Sequence, residues 1–124
     1  MIWSLLFIIF IHWLSDFVFQ THHMSVRKSS SNYYLTLHVS IYTFATILGW
    51  SLVLPLVGYH ITTKTIMLSF VVIFLTHWIT DYFTSRKTSK LYKDERYHDF
   101  FVMIGFDQVL HYVQLFLTFN YIIL

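Results

Sequence analysis

Apolar residues run along this chain in four long stretches, and three polar stretches separate them. The first apolar run covers about 2–20, the second about 33–57 with Pro55 near its end, the third about 65–84 and the fourth about 99–124. At ~1.5 Å of rise per residue each is long enough, as a helix, to cross a hydrocarbon core of ~30 Å. The pattern predicts an all-α fold in which residues 1–124 form a single domain, a four-helix transmembrane bundle. Helices joined by connections this short pack up and down beside one another. Residues 21–32 hold Arg27, Lys28 and a serine run, and 58–64 make a short turn. Residues 85–98 read as a charged loop carrying Arg86, Lys87, Lys90, Lys93 and Arg96.

The basic residues orient the bundle. Seven of the eight Lys and Arg residues fall in the first and third polar stretches, and the second holds only Lys64. Cytoplasmic loops carry the excess of Lys and Arg, so both basic stretches are expected in the cytoplasm, with the N- and C-termini outside. A cleavable signal peptide is not expected. Nothing basic precedes the first apolar run, and Asp16 interrupts it.

The interruptions carry the chemistry. His12-Trp13-Leu14-Ser15-Asp16 in the first run has a near-copy in the third, His77-Trp78-Ile79-Thr80-Asp81. The repeat suggests two helical hairpins related as a parallel repeat. Four residues apart on a helix is the same face, so each histidine stands over its aspartate. Asp107 and His111 repeat the spacing in reverse order in the fourth run, and His38 stands alone in the second. Counted from the basic ends, all seven fall in one layer, on the order of 5–18 Å below the inner surface. A buried carboxylate costs several kcal/mol unless something pairs with it, so such a layer needs an explanation.

Composition narrows the choices. Only 11% of the residues are charged and 56% are hydrophobic, about half the usual charged share of a soluble domain. With no cysteine, disulfides and thiolate metal sites are excluded, and a metal site must use imidazole and carboxylate. The candidate ligands are His12, Asp16, His38, His77, Asp81, Asp107 and His111, which suit one or two divalent ions, zinc first and manganese or iron as alternatives. Asp16, Asp81 and Asp107 are also the candidate catalytic acids or bases. Gln20, Lys28, Gln108, Arg86 and Lys87 are candidates to orient ligands or to attract an anionic headgroup.

Three other readings use the same residues. An ion or proton conduit needs polar residues in the outer halves of the helices, which are nearly all apolar. A structural polar core or a metal staple in a protein that binds a host membrane partner needs no further residues. Haem between two histidines fits poorly with an aspartate one turn away. Membrane lipid, an amphiphilic substrate and a second copy of the chain are the expected partners. The Lys-rich third stretch lacks the regularity of a nucleic-acid site.

His12-x-x-x-Asp16-x-x-x-Gln20, Lys28, His38, His77-x-x-x-Asp81 and Asp107-Gln108-x-x-His111 together resemble the domain-of-unknown-function 3307 family, over nearly the whole chain. The resemblance implies a small multi-pass protein of the bacterial inner membrane, of bacterial or phage origin. In layout alone the chain is also similar to the membrane-bound metal-dependent hydrolases. The expectation is a metal-dependent hydrolase acting at the cytoplasmic leaflet.

Overall fold

The computed structural model describes all 124 residues, and every regular element in it is helical. Helix α1, Ile2–Trp13, continues through a wider π-helical turn, Leu14–Val18. A short helix α2, His22–Arg27, follows, its first turn capped by the Thr21 hydroxyl, which accepts from Met24 N at 3.3 Å. Helix α3, Asn32–Val53, tightens into a 3₁₀ turn at Leu54–Val57, where Pro55 removes a donor and ends the α-helical ladder. Gly58, at φ 95°, takes the left-handed turn that only glycine adopts without cost. Thr62 and Thr65 cap each other's backbone to start α4, Thr63–Lys93. Helix α5, Tyr97–Thr118, ends in a second π-helical turn, Phe119–Ile123.

Two of these elements differ from the sequence expectation. The segment 85–98 is not a loop: α4 runs to Lys93, and only a tight turn at Asp94–Arg96 precedes α5. Lysine and arginine are good helix formers, and the Thr84 and Thr88 hydroxyls bond back to carbonyls one turn earlier, so nothing in this stretch breaks the ladder. The segment 21–32 contains α2, so the chain has five helices rather than four.

Helices α3, α4 and α5, with their terminal turns, are long and apolar enough to cross a membrane, while Ile2–Val18 is a shorter apolar helix. Helix α1 packs on α3 and α5, and α4 packs on the same two, so these four helices close a ring. The ring has reversed polarity. Of its 27 buried residues 15 are polar or charged, while Leu6, Phe10, Phe44, Val71, Leu75, Phe83, Phe106 and Val113 lie exposed on the outside. A protein built for water buries its apolar side chains instead. An apolar core of Ile8, Ile11, Tyr42, Trp50, Leu54, Ile73, Leu115 and Phe119 fills one part of the interior. Gly49 lets α1 and α3 approach there: a Cβ at this position would stand 2.9 Å from two atoms of Ile11. Below that core the interior becomes polar.

Candidate metal centre

All seven candidate ligands meet inside the ring, linked by contacts of 3.8 Å or less. The helical spacing accounts for three of these contacts. His12 Nε2 lies 3.8 Å from Asp16 Oδ2, His77 Nε2 lies 3.6 Å from Asp81 Oδ2, and His111 Nε2 lies 3.3 Å from Asp107 Oδ2. The remaining contacts run between helices. Asp16 stands in the π-helical turn of the first apolar helix, and its Oδ1 faces His38 Nε2 at 3.0 Å and His77 Nε2 at 3.6 Å. Asp81 Oδ2 faces His38 Nε2 at 3.3 Å, and the two imidazoles approach each other at 3.4 Å between their Nε2 atoms. His77 and His111 stack with ring centroids 4.1 Å apart.

Asp16, His38, His77 and Asp81 are all buried, with one ligand atom each lying within 4.8 Å of the others. Five of the six separations among these atoms run from 3.0 to 3.6 Å. A tetrahedron with ligands at ~2.0–2.1 Å from its centre has edges of about 3.3–3.4 Å, so this set fits a small divalent ion. Asp16 Oδ1 accepts no aligned hydrogen bond despite its complete burial. The donors are two imidazole nitrogens and two carboxylate oxygens, which together could hold a divalent ion.

His12 has a different place in the network. Its Nδ1 meets the Tyr42 hydroxyl at 3.0 Å, and its Nε2 meets Gln108 Oε1 at 2.9 Å. The Gln108 amide donates to Asp107 Oδ2 at 3.1 Å and to Asp16 Oδ2 at 3.4 Å, which fixes the amide's orientation. His12 therefore donates from Nε2 and accepts the Tyr42 proton at Nδ1, with no lone pair left for an ion. It holds Gln108, and Gln108 holds two aspartates. Asp16, Asp107 and His111 form a second group of candidate ligands. There the Asp107 carboxylate already accepts from Thr84 and Gln108, while His111 Nε2 sits 3.0 Å from Asp81 Oδ1.

Lys28 reaches the cluster from the end of α2. Its ammonium is 2.9 Å from Asp81 Oδ2 and 3.4 Å from His38 Nε2. Burial alone would lower its pKa, but the Asp81 and Asp16 carboxylates reverse that and hold it above the ordinary lysine value. Gln20 stands in the wall of the adjoining cavity with its Oε1 buried and unpartnered. Arg86 does not join the cluster: it bonds Tyr82 O and Asn32 Oδ1, both at 2.8 Å, and lies over the Tyr82 ring. Lys87 lines a separate cleft with Phe83, Met103 and Phe106. His22, His23, His60 and His98 are exposed. Tyr42 is the residue that sequence reasoning missed. It is buried, bonds His12 and lies against His77 with ring centroids 3.8 Å apart. A tyrosine in an apolar run carries no signal of such a role.

A cavity of about 480 Å³ opens onto the cluster, reaching Asp16, Asp81, Asp107, Gln108 and Lys28. The molecule is thus an all-helical protein with helices of membrane-spanning length around a buried histidine–aspartate cluster that opens to one side. The chain belongs to the family described as protein of unknown function (DUF3307), whose model matches residues 4–124. No curated protein and no solved structure matches it.

Proposed function

We propose that this chain is a four-span membrane protein of the bacterial inner membrane and a metal-dependent hydrolase working from the cytoplasmic leaflet. The observation that carries the reading is the close approach of one ligand atom each from Asp16, His38, His77 and Asp81, five of their separations being 3.0–3.6 Å. The fourth crossing is assigned to Ile2–Val18, because it completes the ring of helices and presents Leu6, Phe10 and Trp13 outward.

His38, His77, Asp16 and Asp81 would hold the ion, and His12, Tyr42 and Gln108 would keep the carboxylates turned toward it. A divalent ion in that position supplies Lewis acidity toward a carbonyl or phosphoryl oxygen. Asp107, at the cavity wall and steadied by Thr84 and Gln108, is placed to take a proton from water entering from the cavity. Conduction through the ring is disfavoured by the apolar core of Ile8, Trp50, Leu54, Ile73 and Phe119 beside the cluster.

Elemental analysis of protein purified without chelator tests the reading. One transition-metal ion per chain is expected, absent in His77→Ala and Asp81→Asn. An ester or phosphoester turnover lost in Asp107→Asn with the metal retained would assign Asp107 its part. A metal-free protein of unchanged fold would overturn the proposal and leave a polar core neutralised by Lys28, which the 2.9 Å ion pair with Asp81 already favours as the second reading.

A further inference from the structure

The cavity beside the cluster has a mixed wall, of which the proposed function uses only the carboxylates and Gln108. Near its floor stand Asp16, Asp81 and Asp107 with Lys28, and farther out stand Lys93 and several serine and threonine hydroxyls. Some of these hydroxyls are committed: Ser25 donates to His22 O and Thr88 to the carbonyls of Thr84 and Ser85. Ser85 is also in this wall, but its Oγ is closed off from the open space and has no hydrogen-bond partner. Gln20 Oε1, in the same wall, is also buried without a partner. Phe17, Phe100 and Ile104 supply an apolar side to the same space.

The charges decide what such a space admits. Asp16, Asp81 and Asp107 face Lys28 and Lys93 around it, and a divalent ion on the four-ligand set would add two positive charges to that wall, which favours an anion. Lys28 has three donors, of which Asp81 and His38 take two. A ligand nitrogen committed to an ion cannot also accept from Lys28, so an ion there would leave one more Lys28 donor free. Ammonium groups and hydroxyls beside a metal ion suit a phosphoryl group, whose several oxygens are strong acceptors.

We propose that this cavity takes the phosphate group of an amphiphilic phosphomonoester, with Lys28 donating to it and Phe17, Phe100 and Ile104 lying along its alkyl chain. The inference rests on the metal reading above and names the ligand class of that site. It makes anion binding conditional on the metal, which a merely basic surface would not do.

The test uses the full chain in phosphatidylcholine nanodiscs, with metal content measured first and empty nanodiscs as the blank. Calorimetric titration compares dodecyl phosphate, inorganic phosphate and the uncharged dodecyl maltoside, with and without metal. Dodecyl phosphate should bind the metal-loaded protein at least about tenfold more tightly than the metal-free protein, and dodecyl maltoside should not displace it. Lys28→Met at saturating metal should weaken that binding about tenfold to a hundredfold, the scale of one charge-assisted hydrogen bond, and Lys28→Arg should restore most of it. Equal competition by dodecyl maltoside, or unchanged affinity in Lys28→Met, overturns the proposal. Inorganic phosphate binding as tightly as dodecyl phosphate overturns the amphiphile. Metal present without phosphate affinity sinks this inference alone, whereas absence of metal sinks both.

Discussion

Asp16 Oδ1 and His38 Nε2 lie 3.0 Å apart in the interior, yet the carboxylate oxygen accepts no aligned hydrogen bond. Two polar atoms that close without an aligned hydrogen bond are placed as the proposed ligands of one ion would be. Removing either should empty that site. Asp16→Asn or His38→Ala is expected to cut metal affinity by more than about a hundredfold, beyond the loss that follows removal of an outer partner. Competition titration against a chelating dye in detergent-solubilised protein measures it. Retention of full metal content by either variant would argue that the four-atom set binds nothing.

His12 and His77 separate the network from the ligand set. Both are buried histidines one helical turn from an aspartate, but both ring nitrogens of His12 are already engaged. His12→Ala should keep metal bound, with affinity lowered about 10–100-fold as orientation of Gln108 is lost, whereas His77→Ala should lose it. Tyr42→Phe should cost about 1 kcal/mol of stability through the missing hydrogen bond, and spare the metal. Metal content and denaturant midpoints of the three variants read this ordering directly.

That ordering could not have been drawn from the sequence. The spacing of His12 and Asp16 is the same as that of His77 and Asp81, and only contacts across helices give them different work. The shared depth of seven polar residues was legible because helix rise converts sequence position into height. Asp16 faces His38 from within the π-helical turn at Leu14–Val18, which leaves no mark in composition. Likewise the charged stretch after Thr84 reads as a loop by hydropathy, although Lys and Arg continue the helix as far as Lys93. Lys28 was visible as a basic residue near the layer. That it enters the cluster follows from α2, whose Thr21 cap turns the chain back over the ring's end.

The helix contacts predict opposite responses at two glycines. A methyl group at Gly49 would meet Ile11 at 2.9 Å, so Gly49→Ala should destabilise the contact between α1 and α3 by about 1–3 kcal/mol. Gly105, on α5, has nothing within 4 Å of an added Cβ. Gly105→Ala should therefore stabilise by about 0.5–1 kcal/mol, the usual gain from relieving a helix-interior glycine. Unfolding midpoints in mixed micelles distinguish them, and equal effects would contradict the packing described.

Topology is open to a clean labelling experiment because the chain has no cysteine of its own. Ser30→Cys and Asp94→Cys lie in the basic segments and His60→Cys in the turn between α3 and α4. All three positions are exposed. In intact spheroplasts an impermeant maleimide should reach His60→Cys, and should reach the other two only after permeabilisation. An epitope tag before Met1 should be accessible from outside if Ile2–Val18 crosses. Labelling of Ser30→Cys and Asp94→Cys from opposite sides would exclude two crossings by α3 and α4.

Lys28 makes the last prediction, and it runs against the usual effect of removing a buried charge. In the metal-free protein its ammonium neutralises Asp81 at 2.9 Å, in a pair whose lysine is 18% exposed and whose aspartate is 2% exposed. Breaking such a pair leaves a carboxylate uncompensated in the interior, at a cost on the order of 3–5 kcal/mol before relaxation and water entry reduce it. With a divalent ion in place the same ammonium is a like charge beside it, competing for Asp81 Oδ2 and facing His38 Nε2. Lys28→Met should accordingly lower the stability of the metal-free protein and raise its metal affinity, by about tenfold or more if ~1.4 kcal/mol of repulsion is relieved. Chelator-treated and metal-loaded melting curves of the variant should move apart relative to the parent protein. Curves that fall together by the same amount would mean that Lys28 only stabilises the fold, and that no ion competes with it for Asp81.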